Sequence, residues 1–297
     1  MRENGRYCMK IRDLLTPSRP TLSFEVFPPK KETDAAPIRS AVGEIAALHP
    51  DFMSVTYGAS GGTSQNTVAI ASHIQNDCGV TALAHLTCVS STKEMVDTML
   101  GRLRDNGIEN ILALRGDIPG PDAFPLPGHY RYAYELIEEI KRRGDFCIGA
   151  ACYPEGHVEC DHQEEDILHL KQKVESGCEF LTTQMFFDNS VLYSFLYRIL
   201  AKDIQVPVIA GVMPVTNGRQ IQRICQLSGT SLPSRFRSIV DRFGDNPAAM
   251  KQAGIAYATE QIIDLIANGV RGIHVYTMNK PDVAASIRAN LSAIVGQ

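Results

Sequence analysis

Short apolar runs alternate with amphipathic stretches along the whole chain. The apolar runs have the length of buried strands, and they predict strands at residues 21–27, 52–57, 80–87, 110–115, 146–153, 180–185, 207–213 and 272–277. Between and after these runs, apolar residues recur at helical spacing. This spacing predicts helices at about residues 37–48, 64–76, 92–106, 130–143, 162–176, 189–201, 217–227 and 281–295.

Strand and helix alternate eight times, which is typical of an α/β fold and in particular of a closed (β/α)8 TIM barrel. The alternative is a doubly wound open sheet, but no Gly-x-Gly-x-x-Gly follows the first predicted strand. The chain has 297 residues and 44% hydrophobic content, enough for one large core. We therefore predict one barrel domain over residues 1–297, with an N-terminal extension at 1–20 and an extra helical insertion at 229–268, before the last strand.

The composition limits the partners and the location of the protein. A net charge of −4 provides no basic surface for nucleic acid. The longest apolar run, around 206–215, is too short to span a membrane, and the first 20 residues contain no recognisable signal peptide. The eight cysteines are scattered without a Cys-x-x-Cys pair, a pattern typical of reduced thiols in a cytoplasmic protein.

Most of the predicted strands end in a polar or charged side chain. These side chains are, in chain order, Glu25, Thr56, His85, Arg115, Tyr153 and Gln184. A strand that only fills a core has no need of such groups. In (β/α)8 barrels the catalytic groups gather at the carboxyl ends of the strands, so we predict the active site at that end of the barrel.

The first predicted strand places one carboxyl group inside the barrel. Alternation along the strand turns its apolar residues towards the helices, and these are Leu22, Phe24 and Val26. Glu25 then points inward near the carboxyl end, where partial desolvation is expected to raise its pKa. A carboxyl group that keeps its proton at neutral pH can act as a general acid. The alternative is a structural ion pair between Glu25 and a basic residue of the barrel, for example Arg115.

A turn of three functional residues, Arg115-Gly116-Asp117, follows the fourth predicted strand. Gly116 permits a sharp turn close to a ligand, and Arg115 offers a planar fork of hydrogen-bond donors. Asp117 offers two acceptor oxygens that suit the ring edge of a pterin. The alternative is a structural Arg–Asp pair within the turn.

Several other polar residues have both a structural and a binding interpretation. A lone histidine such as His85 is more often a core residue than a catalyst, and Thr56 is equally ambiguous. Tyr153 and His157 can line a planar ligand. Gln184 carries an amide that needs a partner from the core or from a ligand.

Asp166, His169 and Lys173 lie three and four residues apart and share one helix face. Spacing alone favours a solvated charged stripe. In the alternative, Lys173 meets a phosphate group and Asp166 meets a ribose hydroxyl.

A zinc site at His157, Cys160 and His162 is the one metal candidate in the sequence. The ligand types suit zinc, but no fourth ligand is evident nearby. No Gly-x-Ser-x-Gly nucleophile motif appears either. We therefore predict that the protein holds no metal.

Eight short sequence blocks follow one another in order and span nearly the entire chain. They are Ser-Phe-Glu-Val-Phe-Pro-Pro at 23–29, Val-Thr-Tyr-Gly-Ala at 55–59, Ala-His-Leu-Thr-Cys at 84–88, Leu-Arg-Gly-Asp at 114–117, Ala-Ala-x-Tyr-Pro-Glu-x-His at 150–157, Thr-Gln-x-Phe-Phe-Asp at 183–188, Gly-x-Met-Pro-Val at 211–215 and His-x-Tyr-Thr-x-Asn at 274–279. Together these blocks resemble the methylenetetrahydrofolate reductase family in its bacterial, single-domain form.

The resemblance implies a flavin-dependent oxidoreductase of one-carbon metabolism, in the branch that serves tetrahydrofolate interconversion and methionine biosynthesis. FAD would bind non-covalently across the barrel mouth, and NADH or NADPH would be the electron donor. The substrate would be 5,10-methylenetetrahydrofolate and the product 5-methyltetrahydrofolate. The two substrates would react in turn in a ping-pong scheme, with the cofactor carrying the hydride chemistry.

The resemblance also implies a role for individual residues. Glu25 would be the acid that helps to open the five-membered ring of the folate, and Asp117 would bind the pterin and tune the flavin. The folate would further contact Gln184, Gln220 and Lys280. The residues implied to hold FAD are Thr56, Tyr57, Ala59, His85, Arg115, Gly116, Asp117, Tyr132, Ala133, Tyr153, His157, Asp166, His169 and Lys173.

Three positions depart from the familiar bacterial pattern. Lys280 stands where an arginine commonly meets the folate tail, so the bidentate contact with a carboxylate is lost. His169 and Gln172 replace an asparagine and an arginine near the FAD tail. These changes bear on the affinities for folate and FAD.

Two other classes of function remain as alternatives. One is a pterin-binding barrel methyltransferase or lyase that uses Glu25 and Asp117 without a flavin. The other is a barrel subunit of a larger redox complex. We expect a homo-oligomer, with an electron-transfer subunit as a further candidate partner.

Overall fold

The computed structural model describes residues 9–16, 18–29, 31–57, 64–89, 91–118 and 128–296. Its eight strands form one closed parallel barrel in chain order, and they are β1 (Thr21–Val26), β2 (Phe52–Val55), β3 (Thr81–Thr87), β4 (Asn110–Leu114), β5 (Cys147–Cys152), β6 (Phe180–Thr183), β7 (Val208–Val212) and β8 (Gly272–Tyr276). The first and last strands pair with each other and close the ring. The predicted (β/α)8 barrel is confirmed, and the doubly wound alternative is wrong.

Helices surround the barrel, and within the described residues they are α1 (Ile11–Leu14), α2 (Ala35–Ala46), α3 (Ser64–Ser72, followed by a π-helical turn at His73–Asp77), α4 (Lys93–Asp105), α5 (Ala133–Arg143), α6 (Gln163–Glu175), α7 (Asn189–Leu200), α8 (Gly218–Ser228), α9 (Ser234–Phe243), α10 (Pro247–Ala267), α11 (Pro281–Asn290) and α12 (Ser292–Val295). Four of them begin at a side chain that accepts a hydrogen bond from the first turn, namely Thr92, Asp188, Asn217 and Asn246. None of the helices in the described ranges has the length and hydrophobicity that crossing a bilayer requires.

The insertion predicted at residues 229–268 is present before the last strand. It contains two helices, α9 and α10. Phe236 anchors α9 in a small apolar cluster that also contains Met250 of α10. The apolar residues Phe236, Ile239 and Val240 of α9 do recur at helical spacing, so the sequence carried a signal for this helix.

The amino-end mouth of the barrel is closed by apolar side chains. Ile11, from the N-terminal extension, is fully buried in a cluster with the first inward residues of the strands, which are Phe52, Leu83, Leu112, Cys147, Phe180 and Ile209. The Ile11 backbone N–H donates to Asn110 Oδ1 at 2.9 Å, and Asn110 Nδ2 donates to the Met9 carbonyl oxygen at 3.2 Å. The end of the extension is therefore part of the core.

Near the carboxyl end, a glycine makes space for an aromatic ring inside the barrel. A Cβ atom at Gly211 would lie 2.5 Å from the Thr183 carbonyl oxygen and would also clash with the Tyr276 hydroxyl. The Tyr276 hydroxyl donates to the same carbonyl at 2.6 Å. Gly211 thus fixes Tyr276 across the barrel, above the apolar layer.

The cysteines are consistent with the reduced state expected from the sequence. All seven cysteines in the described part of the chain are free thiols. Burial raises the pKa of the Cys178 thiol to about 12 and that of the Cys147 thiol to about 11. Thiols with such values are unreactive at neutral pH.

Candidate active site

Glu25 lies on the inner face of β1, one residue before the strand ends, and its side chain is 19% exposed. Two contacts from the segment after β8 hold the backbone here. Thr277 Oγ1 donates to the Glu25 carbonyl oxygen at 2.7 Å, and the Asn279 amide pairs with both the N–H and the C=O of Phe27 at 2.9 Å. The inward orientation predicted for Glu25 is confirmed.

The carboxylate of Glu25 faces two histidines and a serine from three other strands. Glu25 Oε2 lies 3.6 Å from His85 Nε2 and 3.7 Å from His274 Nε2. Ser54 Oγ donates a long hydrogen bond of 3.5 Å to the same oxygen. Because β1, β2, β3 and β8 lie side by side in the closed barrel, their inward residues meet at this point.

The raised pKa predicted for Glu25 is wrong for this arrangement. Desolvation by burial raises the pKa of Glu25, but the imidazoles of His274 and His85 close to its carboxyl group, together with Ser54, lower it by more. The net result is a pKa below the ordinary value of 4.5. Sequence reasoning counted the burial and could not count partners contributed by distant strands.

His85 is buried beside Glu25, with 7% exposure. Burial lowers its pKa to about 4 despite the nearby carboxylate, so the imidazole is neutral at pH 7. Its Nε2 atom has no hydrogen-bond partner among the described residues. A buried polar atom without a partner is uncommon and indicates a position where a ligand contact is missing.

Arg115 and Gly116 form the sharp turn that the sequence predicted. Gly116 has φ +88°, and a Cβ atom there would lie 3.1 Å from Thr87 Cβ, so the turn requires glycine. Arg115 makes a bidentate pair with Glu159, both N–H···O distances being 2.7 Å. The pairing of Arg115 with Glu25 and the structural pair with Asp117 are therefore both wrong. Asp117 is exposed at the rim of the mouth.

The loop after β5 and the helix α6 bring four predicted residues together. The rings of Tyr153 and His157 meet edge to face, with centroids 4.6 Å apart. Lys173 Nζ donates to the Ala151 carbonyl oxygen at 3.0 Å and lies 5.9 Å from the Tyr153 ring centroid. Asp166 accepts from the His157 backbone N–H at 3.2 Å. The solvated-stripe interpretation is thus wrong for Asp166 and Lys173, both of which are partly buried.

Burial lowers the pKa of Lys173, although the Asp166 carboxylate opposes this effect. Burial also lowers the pKa of His157, and the positive charge of Arg115 acts in the same direction. Two basic side chains, Arg115 and Lys173, thus lie close enough to this aromatic pair to affect its electrostatics. This arrangement can bind an anionic group attached to a planar ring.

His169 is exposed on α6 and belongs to a different group from the one predicted. Its ring lies near Cys160 and Asp166, with ligand atoms of the three within 4.8 Å of one another. The zinc trio considered from the sequence, His157, Cys160 and His162, does not reach this spacing among the described residues. A group of three such donors, two partly buried and one exposed, does not by itself indicate a metal.

The other predicted FAD contacts that the structure describes lie at the same end of the barrel. Thr56 and Tyr57 directly follow β2 and are half-buried. Ala59 lies outside the described residues. Tyr132 is the N-cap residue of α5 and is 42% exposed, and Ala133 is the buried first residue of that helix.

The three residues predicted to contact folate follow β6, β7 and β8. Gln184 Oε1 accepts from the Met185 backbone N–H at 3.0 Å, so its amide oxygen is already satisfied. Gln220 is exposed in the first turn of α8. Lys280 precedes α11, and its Nζ donates to Thr216 Oγ1 at 2.6 Å.

Sequence reasoning missed two further residues at the base of this site. Ser23 is fully buried and His274 is 2% exposed, and Ser23 Oγ lies 2.7 Å from His274 Nδ1. Both occur in the sequence blocks quoted above, at the start of the first and last of them. The alternation of Gly272, His274 and Tyr276 along the last strand would have placed His274 inside the barrel.

Similarity to known proteins shows the family of this chain. Residues 10–292 match the model of the family described as methylenetetrahydrofolate reductase. The chain belongs to the methylenetetrahydrofolate reductase family. It is 33% identical over 266 residues to the 5,10-methylenetetrahydrofolate reductase of Escherichia coli, which covers 90% of this chain and 88% of that protein. An enzyme of Arabidopsis thaliana, "Methylenetetrahydrofolate reductase (NADH) 1", is 34% identical over 298 residues.

The plant relative shows how much of a longer family member this chain represents. The match covers 96% of this chain but 50% of the Arabidopsis protein, so the chain spans about half the length of such curated relatives. Among solved structures, an uncharacterized protein from Clostridium thermocellum that binds two copies of 5-methyl-5,6,7,8-tetrahydrofolic acid is similar, with a TM-score of 0.60. It covers 95% of this chain and 98% of that chain at 14% identity, and at this identity the likeness shows the fold alone.

Proposed function

We propose that this member of the methylenetetrahydrofolate reductase family reduces 5,10-methylenetetrahydrofolate to 5-methyltetrahydrofolate, with NADH or NADPH as donor and non-covalently bound FAD as carrier. The observation that carries the proposal is the position of Glu25, a carboxyl group inside the carboxyl-end mouth with histidines on two sides. The names of the bacterial relatives, which match over most of their length, supply the reaction.

The residues present fit a flavin dinucleotide. Such a cofactor has a planar ring and an anionic pyrophosphate, and the site offers the aromatic ring of Tyr153 with the cationic side chains of Lys173 and Arg115 nearby. The unpartnered Nε2 of His85 supplies a polar contact for a ring heteroatom. When bound, FAD would accept a hydride from the nicotinamide and pass it to the folate.

The chain's own residues would prepare the folate for reduction. Glu25 would deliver a proton to a ring nitrogen, because opening the five-membered ring creates the electrophilic carbon that accepts hydride. A bound substrate would cover the remaining exposed part of Glu25, and this added desolvation favours the protonated form. Asp117, at the rim, would accept hydrogen bonds from the pterin edge. Gln184, Gln220 and Lys280 would hold the rest of the folate.

A spectroscopic experiment tests the proposal. The purified protein is expected to be yellow, or to become yellow when FAD is added, and to bleach anaerobically with NADH or NADPH. Subsequent addition of 5,10-methylenetetrahydrofolate should restore the oxidised spectrum and yield 5-methyltetrahydrofolate. A protein that stays colourless with FAD but still turns over a folate would favour the flavin-free methyltransferase or lyase. A yellow protein that bleaches but is not reoxidised by the folate would contradict the folate reaction.

We further propose a cytoplasmic location and a homo-oligomeric state. The free thiols of the described cysteines agree with a reducing compartment. Size-exclusion chromatography with light scattering measures the oligomeric state directly. Full turnover by the isolated chain with a nicotinamide would exclude the need for an electron-transfer subunit.

A further inference from the structure

Four polar side chains below the mouth form a connected chain of hydrogen bonds. Ser23 Oγ lies 2.7 Å from His274 Nδ1, and Ser54 Oγ lies 3.0 Å from His274 Nε2 and 3.5 Å from Glu25 Oε2. Ser23 and Ser54 are fully buried, and the His274 ring is 2% exposed. Ser54 is therefore the bridge between an enclosed imidazole and the carboxyl group at the mouth.

Counting hydrogens assigns the direction of the first bond. The Ser23 hydroxyl donates its only hydrogen to the Ile273 carbonyl oxygen at 3.0 Å. Ser23 Oγ must then accept from His274 Nδ1, so Nδ1 carries a hydrogen. The protonation of His274 is consequently decided at its other nitrogen, Nε2.

The Ser54 hydroxyl also has one hydrogen and two acceptors within reach. If it donates to His274 Nε2, the imidazole is neutral, and Glu25 receives no hydrogen bond from Ser54. If it donates to Glu25 Oε2, then Ser54 Oγ accepts from a protonated His274 Nε2. The two states differ in the orientation of the Ser54 hydroxyl group and by one proton on His274 Nε2. The direct distance of 3.7 Å between His274 Nε2 and Glu25 Oε2 is too long for a hydrogen bond.

From this geometry, and resting on the proposed function, we propose that His274 and Glu25 share one proton through Ser54, and that this is the proton delivered to the folate. His274 Nε2 gives its proton to Ser54 Oγ, and Ser54 gives its own to Glu25. Glu25 then protonates the folate ring nitrogen. One N–H bond breaks on His274 and one forms on the folate, while Ser54 and Glu25 finish with the protons they began with. His274 is a positioning residue in this scheme because it acts through Glu25.

The neighbours of His274 fix the position of its ring. The ring stacks on Phe52, with centroids 5.8 Å apart, and meets Tyr276 edge to face at 5.5 Å. The titratable groups that face Glu25 and His274 from the neighbouring strands are His85 and Tyr276. Burial raises the pKa of Tyr276 well above its ordinary value, and His85 is neutral above about pH 4. Neither of them competes for the proton near pH 7.

The relay explains how an acid with a lowered pKa can serve at neutral pH. A Glu25 carboxyl acting alone would be ionised there, because its pKa lies below the ordinary value. A proton held on His274 reaches Glu25 through a single hydroxyl group, so Glu25 need not hold that proton at rest. The relay moves that proton to the mouth without exposing it to solvent.

Ser54→Ala tests the relay, with Ser23→Ala as the matched control. Both serines are fully buried and both bond to the same imidazole, but only Ser54 lies on the path to Glu25. We expect Ser54→Ala to slow reoxidation by the folate at pH 7 by roughly tenfold or more and to make the rate fall more steeply with pH. The rate of bleaching by the nicotinamide should change less than twofold in Ser54→Ala. In Ser23→Ala the rates of both half-reactions should fall much less than the reoxidation rate of Ser54→Ala. Equal losses for the two variants, or no loss for Ser54→Ala, would overturn the relay.

A second measurement does not depend on the cofactor or on turnover. ¹⁵N NMR of the histidine rings reports which nitrogen of His274 carries hydrogen in the purified protein. The relay predicts an Nδ1–H in the wild type and less hydrogen on Nε2 in Glu25→Gln than in the wild type at the same pH, because the carboxylate no longer stabilises the imidazolium. A His274 ring unaffected by Glu25→Gln contradicts the relay even if the folate reaction is confirmed. Failure of the folate reaction, while Glu25→Gln still changes the hydrogen on Nε2, contradicts the proposed function instead.

Discussion

The two mouths of the barrel are formed by the same eight strands but are filled in opposite ways. At the amino end, Ile11 and the first inward residues of the strands form a continuous apolar cluster. At the carboxyl end, the inward positions carry carboxyl, imidazole and hydroxyl groups, and within the described ranges three buried polar atoms there have no partner: His85 Nε2, Thr87 Oγ1 and Thr182 Oγ1. Burial alone therefore does not distinguish the two mouths, whereas the unpartnered polar atoms inside the barrel do.

The comparison assigns chemistry to one mouth and stability to the other. The strongest test at the carboxyl end is Glu25→Gln, which removes the acid but keeps the shape. We expect reoxidation by the folate to fall roughly 10²–10⁴-fold, while bleaching by the nicotinamide is largely kept. Stopped-flow absorbance of each half-reaction measures both. Glu44→Gln, at an exposed helical position, is the control, and equal loss of both half-reactions would refute the acid role.

At the amino end, Ile11→Ala should reduce stability and leave the chemistry intact. Removing a fully buried isoleucine from a packed cluster costs about 2–5 kcal/mol of unfolding free energy. Urea denaturation followed by circular dichroism measures this loss, and the rate per folded molecule should stay unchanged. Met9→Ala, at a 41% exposed side chain in the same segment, should be nearly neutral. A stability within 0.5 kcal/mol of wild type, on the order of a surface substitution, would show that the extension does not close the barrel.

His85, at the carboxyl-end mouth, should make the unfolding free energy depend on pH. The pKa of His85 is about 4 in the folded protein, against an ordinary value of 6.5. Between these pH values the unfolded chain binds more protons, so the unfolding free energy falls as the pH falls. The loss attributable to His85 reaches about 3 kcal/mol at most, from 1.4 kcal/mol per pKa unit.

Replacement of the histidine isolates this contribution. His85→Asn should flatten the decline in unfolding free energy between pH 6.5 and 4, measured by urea denaturation at several pH values. His162→Asn, at an exposed position, should keep the wild-type slope. If His85→Asn also kept that slope, the hypothesis that His85 is buried and neutral in the folded protein would be refuted.

The smallest expected effect concerns the rim of the same mouth. Glu159, which is 45% exposed, occupies the guanidinium fork of Arg115, and an anionic cofactor would compete for that fork. Glu159→Gln should therefore strengthen FAD binding about threefold at low salt, in keeping with the small energies of exposed ion pairs. Fluorescence titration of the apoprotein with FAD measures the affinity, and Glu165→Gln on α6 is the control. A weaker affinity would show that Glu159 orients Arg115 rather than competing for it.

The sequence predicted the barrel because each strand carries its own signal in a short apolar run. It also predicted the direction of Glu25, since alternation within one strand is a local property. The direction of the Glu25 pKa shift was predicted wrongly because the residues around the carboxyl group are remote in the sequence. Ser54 is 29 residues from Glu25, and His274 is 251 residues from Ser23, its contact on β1.

Two other features lack a local signal. Helix α1 has four residues, too few to show a helical period, so the sequence could not reveal that Ile11 enters the core. Arg115 finds Glu159 44 residues further along the chain, and nothing in the spacing distinguishes this acid from its neighbours. Side-chain pairings that form only when the barrel closes thus could not be predicted from the sequence.

The Asn279 amide joins the end of the first strand to the segment after the last, across 252 residues. A nascent chain emerges from the ribosome in order, and Glu25 is among its earliest parts. His274, whose imidazole lies beside Glu25, and Asn279 are among the last residues to emerge. A truncated translation product that ends before β8 would carry the acid but not its supporting groups, so prematurely terminated chains would be catalytically silent.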